Sequence, residues 1–254
     1  MLNEILTLDI YRFFLIFTRI GAALMIMPGM GGHLVSSRIR LIFGLAISLV
    51  LLPVIGTTLP PLPTRLSNLI LLIGSEAMIG FYLGILTQAL MSTLHVAGTF
   101  IGFQVGLTNA FSFDAVAEQQ SSTLTALFTN TALIAIFATD LHHLMLRAIA
   151  DSYAVLIPGQ PLPLGDFAET LGKLLSASIG FALQLAAPLL AFGMIYNVAL
   201  GLMSRLSPQI QVFFIALPLQ VLAGLWMMMV ALPLIIMLFL RWFEDGLMPF
   251  LTPR

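Results

Sequence analysis

The sequence predicts an all-α protein of the integral membrane type, built from about six long, partly kinked hydrophobic helices. The first observation is composition: 59% of the 254 residues are hydrophobic and only 8% are charged, against roughly 25% charged residues in an ordinary soluble domain. The second is the length of the apolar runs, since a helix needs about 20 apolar residues to cross a bilayer core. Together they exclude a soluble enzyme, a disordered chain and a nucleic-acid-binding domain.

Six apolar runs predict the long helices. They span residues 10–30, 41–59, 69–94, 124–138, 174–203 and 210–240. Two shorter stretches, 96–113 and 144–157, fit a continuation of a neighbouring helix, a re-entrant piece or a short helix. Residues 60–63 and 158–163 are predicted loops, because proline fixes φ and removes a backbone donor. No linker, low-complexity tract or repeat divides the chain, so we expect a single domain over 1–254.

Prolines also occur inside the apolar runs, at Pro28, Pro53, Pro188, Pro218 and Pro233. Each frees a backbone carbonyl and bends its helix. Bent helices that carry polar groups are common where a protein lines a path, but the same groups also form hydrogen bonds between helices. The positive charges give no clean alternation between the loops, so the orientation in a membrane stays open.

Glycines recur at helical spacing in two neighbouring segments. Gly98, Gly102 and Gly106 are four residues apart, and Gly80 and Gly84 repeat the spacing. Glycines at this spacing share one helix face and let another helix backbone approach closely. The partner helix belongs either to the same chain or to another subunit, and the sequence leaves both open.

Ionisable side chains interrupt the apolar runs at Arg19 and Glu76, and Arg205 lies between the last two runs. A charge at membrane depth costs on the order of 3 kcal/mol or more, so it needs a partner, a cavity or another subunit. These three are the candidate buried charges. An ion pair between Arg19 and Glu76 is geometrically possible, but nothing in the sequence selects that pairing.

The segment 106–122 leaves the glycine-rich stretch, carries Phe111 and Phe113, and then becomes polar. A loop with apolar tips could fill a constriction, since a ring of apolar side chains excludes water and ions. The alternative is a surface loop with two buried anchors. Asn109 and Asp114 belong to the same candidate site.

Catalytic and metal-binding motifs are absent from the sequence. It contains no cysteine, no zinc-protease motif, no phosphate-binding glycine loop and no nucleophile elbow. His142 and His143 follow Asp140, but adjacent histidines point about 100° apart on a helix and would not share one metal. We therefore expect a polar helix end there, no metal, no cofactor and no enzymatic activity.

Three stretches give the chain a recognisable pattern. They are 98–114, with Ile-Gly-Phe-Gln-Val-Gly-Leu at 101–107; 140–159, with Asp-Leu-His-His and Asp-Ser-Tyr; and 205–220, with Arg-Leu-Ser-Pro-Gln-Ile-Gln-Val-Phe and Pro-Leu-Gln. Over nearly its whole length the sequence resembles the FliR family of flagellar biosynthesis proteins, which belong to the type III secretion export gate. One departure is Asp114-Ala115, where the family usually has Asp-Pro.

The resemblance implies bent helical hairpins, similar to a FliP subunit fused to a FliQ subunit. It also implies a single copy that joins FliP and FliQ in the inner membrane, within the flagellar basal body, with FlhB and FlhA as further partners. Unfolded rod, hook and filament proteins would pass through the pore, and the segment 106–122, with Phe111 and Phe113, would help to plug it. No nucleic-acid partner is implied.

Two alternatives remain at the level of sequence. The first is the equivalent gate subunit of a virulence injectisome, although the Gly-Phe-Gln-Val-Gly stretch and the histidine pair look more flagellar. The second is a secondary transporter for a small solute, which would need a midplane site made by Arg19, Glu76 and the broken helices.

Overall fold

The computed structural model describes residues 2–32, 34–105, 121–206 and 212–251. Over these ranges the chain forms seven α-helices, one short 3-10 helix and no strand, which confirms the all-α prediction. The helices are α1 (Leu2–Ile26), α2 (Ser37–Ile55), α3 (Leu66–Gln104), α4 (Ser121–Ala138), α5 (Leu141–Val155), α6 (Leu164–Leu206) and α7 (Val212–Leu247), followed by the 3-10 helix Met248–Phe250.

Four of the described helices are long and apolar enough to cross a membrane: α2, α3, α6 and α7. A fifth span is possible if the bent pair of α4 and α5 counts as one broken span. The helix α1 is not in this group, since it carries Asp9, Arg12 and Arg19 along its length. The composition therefore supports a membrane-type bundle, as predicted.

The two ambiguous stretches have different outcomes. Residues 96–104 continue the preceding helix, so that α3 reaches 39 residues. Residues 144–155 belong to the separate 15-residue helix α5, which ends before Pro158. The chain thus has one more described helix than the six apolar runs predict.

Pro28 ends a helix, contrary to the expectation that it bends one from within. The helix α1 stops at Ile26, because proline removes a backbone donor and its predecessor avoids the helical region. The turn that follows uses positive φ at Gly29 (80°) and Gly32 (67°). The next helix begins where the Ser36 hydroxyl accepts a hydrogen bond from the backbone N–H of Ile39 at 3.4 Å. The other four internal prolines do lie inside α2, α6 and α7.

The helices divide between two compact units. Unit 1 comprises Met1–Leu90, Asp140–Leu174 and Glu244–Arg254, and unit 2 comprises Met91–Thr139 and Leu175–Phe243. Three helices, α3, α6 and α7, contribute a part to each unit. Fully buried side chains include Leu15, Ile16 and Leu24 in unit 1 and Phe128, Phe239 and Phe243 in unit 2. The single domain over 1–254 stays a prediction.

Candidate functional site

The predicted plug residues Asn109, Phe111, Phe113 and Asp114 lie outside the described residues, as does Gly106, so their roles stay predictions. The structure describes the helices on either side of them. The helix α3 ends at Gln104, and α4 begins at Ser121.

The centre of unit 1 contains a buried ion pair. Both Arg19 in α1 and Glu76 in α3 have side chains that are 0% exposed. The Nε of Arg19 donates to Oε2 of Glu76 at 2.7 Å, and Nη2 donates to Oε1 at 3.0 Å. This two-point pairing is the strong geometry for a guanidinium and a carboxylate.

The remaining contacts of Arg19 are made by α5 and the residue after it. Its Nη1 donates to the Ser152 hydroxyl at 3.1 Å, and Nη2 also donates to the Leu156 carbonyl at 3.0 Å. The guanidinium carbon lies 3.8 Å from the centre of the Tyr153 ring, in a cation–π arrangement. One side chain of α1 is therefore bonded to both α3 and α5, and its charge is compensated by the Glu76 carboxylate.

The glycine face of α3 explains how Glu76 reaches α1. A Cβ added at Gly80 would collide with the Arg19 carbonyl oxygen and lie 2.8 Å from the Ala22 Cβ. One added at Gly84 would lie 2.9 Å from the Ala23 carbonyl oxygen. Because Glu76, Gly80 and Gly84 are spaced by four, they share one helix face. For these two glycines the partner helix belongs to the same chain.

The second glycine stretch, in unit 2, has close neighbours at Gly98 but not at Gly102 among the described residues. A Cβ at Gly98 would lie 3.0 Å from Thr125 Cα and 3.3 Å from Phe128 Cδ2 in α4. Among the described residues, the atom nearest to a Cβ at Gly102 is Leu124 Cδ1, at an ordinary 3.9 Å. Of these two glycines, it is therefore Gly98 that marks the close approach of α3 and α4.

Arg205 differs from the expectation of a buried charge, because it is exposed within the chain. It lies in the last turn of α6, where a cation interacts favourably with the negative end of the helix dipole. A side chain at a helix end reaches water, or a partner, without any burial cost inside this chain.

The histidine pair lies at the start of α5. His143 Nδ1 is 3.4 Å from the Asp140 carboxylate, and the two histidine rings are 4.0 Å apart. Asp140 precedes the helix with a φ of 60°. One nitrogen or oxygen atom of each of Asp140, His142 and His143 lies within 4.8 Å of those of the other two, closer than the angle between adjacent helical residues predicts. Exposed acidic groups are common at helix ends without a bound ion. We therefore assign no metal to the cluster of Asp140, His142 and His143.

Sequence reasoning missed several residues of these sites. The sequence pattern includes Ser152 and Tyr153 but predicts no role for them. It also does not predict that Gly193, Gln220 and Gly224 contact the end of α3. A glycine within a long apolar helix is unfavourable and usually has a packing reason, which was the available signal.

Comparison with known proteins assigns the chain to a family. The family model described as "Bacterial export proteins, family 1" matches residues 10–246. The flagellar biosynthetic protein FliR of Caulobacter vibrioides is 35% identical over 88% of this chain and 89% of its own length. The FliR proteins of Bacillus subtilis and Aquifex aeolicus are 30% and 28% identical, over 88% and 89% of this chain and 86% and 87% of theirs. The chain is thus a bacterial export protein of the membrane type. It belongs to the FliR family of flagellar biosynthetic proteins.

Proposed function

We propose that this chain is a structural and gating subunit of the flagellar type III protein export channel, located in the bacterial inner membrane within the basal body. The observation that carries the proposal is the match to FliR proteins along 88% of the chain. On this proposal the chain catalyses no reaction and binds no cofactor, and other components supply the energy for export.

Assembly with other subunits is supported by the apolar surface of the chain. Large side chains that are 64% to 70% exposed include Val50 and Val54 on α2, Ile195 and Val198 on α6, and Trp226 and Met229 on α7. Apolar surface of this extent requires lipid or protein around it. We propose that FliP and FliQ cover much of it, that FlhB and FlhA are neighbours in the apparatus, and that unfolded flagellar proteins pass through the shared pore.

Within this assembly, we propose that the segment 106–122 closes the resting pore. Phe111 and Phe113 supply the apolar seal, since dewetted apolar constrictions block ions. Asn109 and Asp114 supply the polar groups beside the seal. The support is the sequence pattern, in which two phenylalanines precede a polar stretch.

The test is co-expression of the tagged chain with FliP and FliQ from the same source, followed by native mass spectrometry of the detergent-extracted complex. We expect a hetero-oligomer that contains one copy of this chain. Recovery of only a monomer or a homo-oligomer would overturn the proposed assembly and reopen the transporter alternative.

A further inference from the structure

The end of α3 is held between two other helices of unit 2. Gln104 is the last residue of α3, and Val105, which follows it, is 1% exposed. The chain then continues into residues 106–120. Three contacts, from α6 and α7, meet at this point.

The first contact is a hydrogen bond from Gln220 in α7. This side chain is only 4% exposed, and its Nε2 donates to the Gln104 carbonyl at 3.2 Å. The last carbonyls of a helix have no partner within the helix. A buried amide donor also requires an acceptor. The bond therefore pairs a buried amide donor with a carbonyl at the end of α3 that has no acceptor role within its own helix.

The second and third contacts are close approaches at glycines. The side-chain amide of Gln104 occupies the place that a Cβ would take at Gly193 in α6. A Cβ at Gly224 in α7 would lie 3.0 Å from Val105 Cα. By contrast, no atom of the described residues lies within 4 Å of the corresponding position at Gly201, also in α6. Gly193 thus leaves room for the Gln104 side chain, and Gly224 leaves room for the backbone of Val105.

The helices α6 and α7, which contact the end of α3, are also hydrogen-bonded to each other. The Tyr196 hydroxyl of α6 donates to the Ala216 carbonyl of α7 at 2.5 Å. Ala216 lies one turn before Gln220, and Tyr196 lies about one turn after Gly193, so the bond joins the helices next to the site. A displacement of the α3 end would have to move both helices.

We propose that Gln104, Gly193, Gln220 and Gly224 form a positioning site, the α3 clamp, that fixes the end of α3, after which the sequence continues into residues 106–120. The inference rests on the proposed gating function, because the clamp determines the starting point of the segment assigned to the seal. Gln220 is the positioning residue: it touches the backbone of α3 and acts on the gate through it.

The test uses the complex with FliP and FliQ and two matched pairs of variants. Gln220→Met keeps the size of the side chain and removes the donor, and Gln184→Met does the same at an exposed position of α6. Gly193→Ala fills the place of the Gln104 side chain, and Gly201→Ala adds a methyl group at a position that no described residue approaches within 4 Å. Each complex is measured for yield, thermal stability, ion leak through the resting gate and hydrogen exchange of the Val105 amide.

We expect Gln220→Met and Gly193→Ala to raise the ion leak and to speed exchange of the Val105 amide, which donates to the Ile101 carbonyl at 2.9 Å. The expected acceleration is about tenfold, the effect of one net hydrogen bond. Gln184→Met and Gly201→Ala should leave the ion leak and the exchange rate of the Val105 amide at the wild-type level. Yield and thermal stability should stay near wild type, which separates positioning from a general structural role.

Three results would overturn the inference. One is an ion leak that Gln220→Met leaves unchanged while Phe111→Gly/Phe113→Gly raises it. The gate would then stay closed to ions without the hydrogen bond of Gln220. Another is failure of both clamp variants to assemble, which would assign these residues to folding. If the phenylalanine variant does not leak, the proposed seal is wrong, and exchange at Val105 then decides on the clamp alone: an unchanged rate overturns it.

Discussion

The carboxylate of Glu76 receives two hydrogen bonds from the guanidinium of Arg19, at 2.7 and 3.0 Å, and both side chains are wholly buried. The pair joins two helices at the point where Gly80 allows their backbones to meet. A pair in this setting is costly to break, since the charge that remains has no access to water.

Glu76→Ala should destabilise the chain by about 3–5 kcal/mol, because it leaves Arg19 buried without its counter-charge. Unfolding by heat or denaturant in detergent measures the loss. The matched control is Glu169→Ala, which breaks a pair with Lys173 whose side chains are 64% and 75% exposed. That pair contributes little. Equal stability of the two variants would contradict the structural role given to Glu76.

Replacement of both partners should be tolerated better than replacement of one. The double variant Arg19→Met/Glu76→Leu removes both charges together and keeps much of the volume. We expect it to be more stable than either Arg19→Met or Glu76→Leu alone. A double-mutant cycle on the same unfolding measurement gives the coupling free energy, and a value near zero would show that the two groups do not depend on each other.

Gly80→Ala should be harmful and Gly74→Ala harmless, although both lie in α3. The methyl group at Gly80 would meet the Arg19 carbonyl oxygen, whereas at Gly74 no atom of the part of the chain that the structure describes lies within 4 Å. Overpacking of this kind costs about 1–3 kcal/mol, while alanine in an open helix position is favoured over glycine. Thermal stability of the two variants in detergent checks the difference, and a harmful Gly74→Ala would argue for a subunit contact on that face.

In the glycine stretch before the proposed seal, a substitution at Gly98 should be more harmful than one at Gly102. Gly98→Ala brings a methyl group to 3.0 Å from the Thr125 Cα, but the methyl group of Gly102→Ala would lie 3.9 Å from its nearest neighbour among the described residues, Leu124 Cδ1. We expect Gly98→Ala to lower the yield of the complex with FliP and FliQ more than Gly102→Ala does. The reverse order would show that Gly102 faces another subunit at close range.

Phe111→Gly/Phe113→Gly should make cells leaky to small ions when the whole gate is assembled, because the apolar seal that we propose would be lost. Phe111→Leu/Phe113→Leu is the control, since leucine keeps the constriction apolar. Ion flux across the membrane of cells that express the complete gate provides the measurement. An unchanged flux in the glycine variant would make these side chains anchors and not the seal.

The sequence predicts the helices better than it predicts their partners. Length and composition identify the apolar segments, and glycine spacing identifies the face that includes Gly80 and Gly84. The pairing of Arg19 with Glu76 spans 57 residues, and in a chain that is apolar on almost every face, periodicity does not indicate which surfaces meet. Every residue carries a backbone carbonyl, so residue identity does not indicate which carbonyl accepts a hydrogen bond. The roles of Leu156 and Gln104 as acceptors could therefore not be predicted.

The position of Arg19 has a consequence for how the protein is made. Its carboxylate partner follows 57 residues later in the chain, and its hydroxyl partner Ser152 follows 133 residues later. At a synthesis rate of about 5–20 residues per second, α1 waits roughly 3–11 s for Glu76 to be added. During that interval the guanidinium has none of its final acceptors, and the last of them, the Leu156 carbonyl, follows 137 residues after it. The hydrogen bonding of Arg19 is therefore complete only after α5 and Leu156 have been translated.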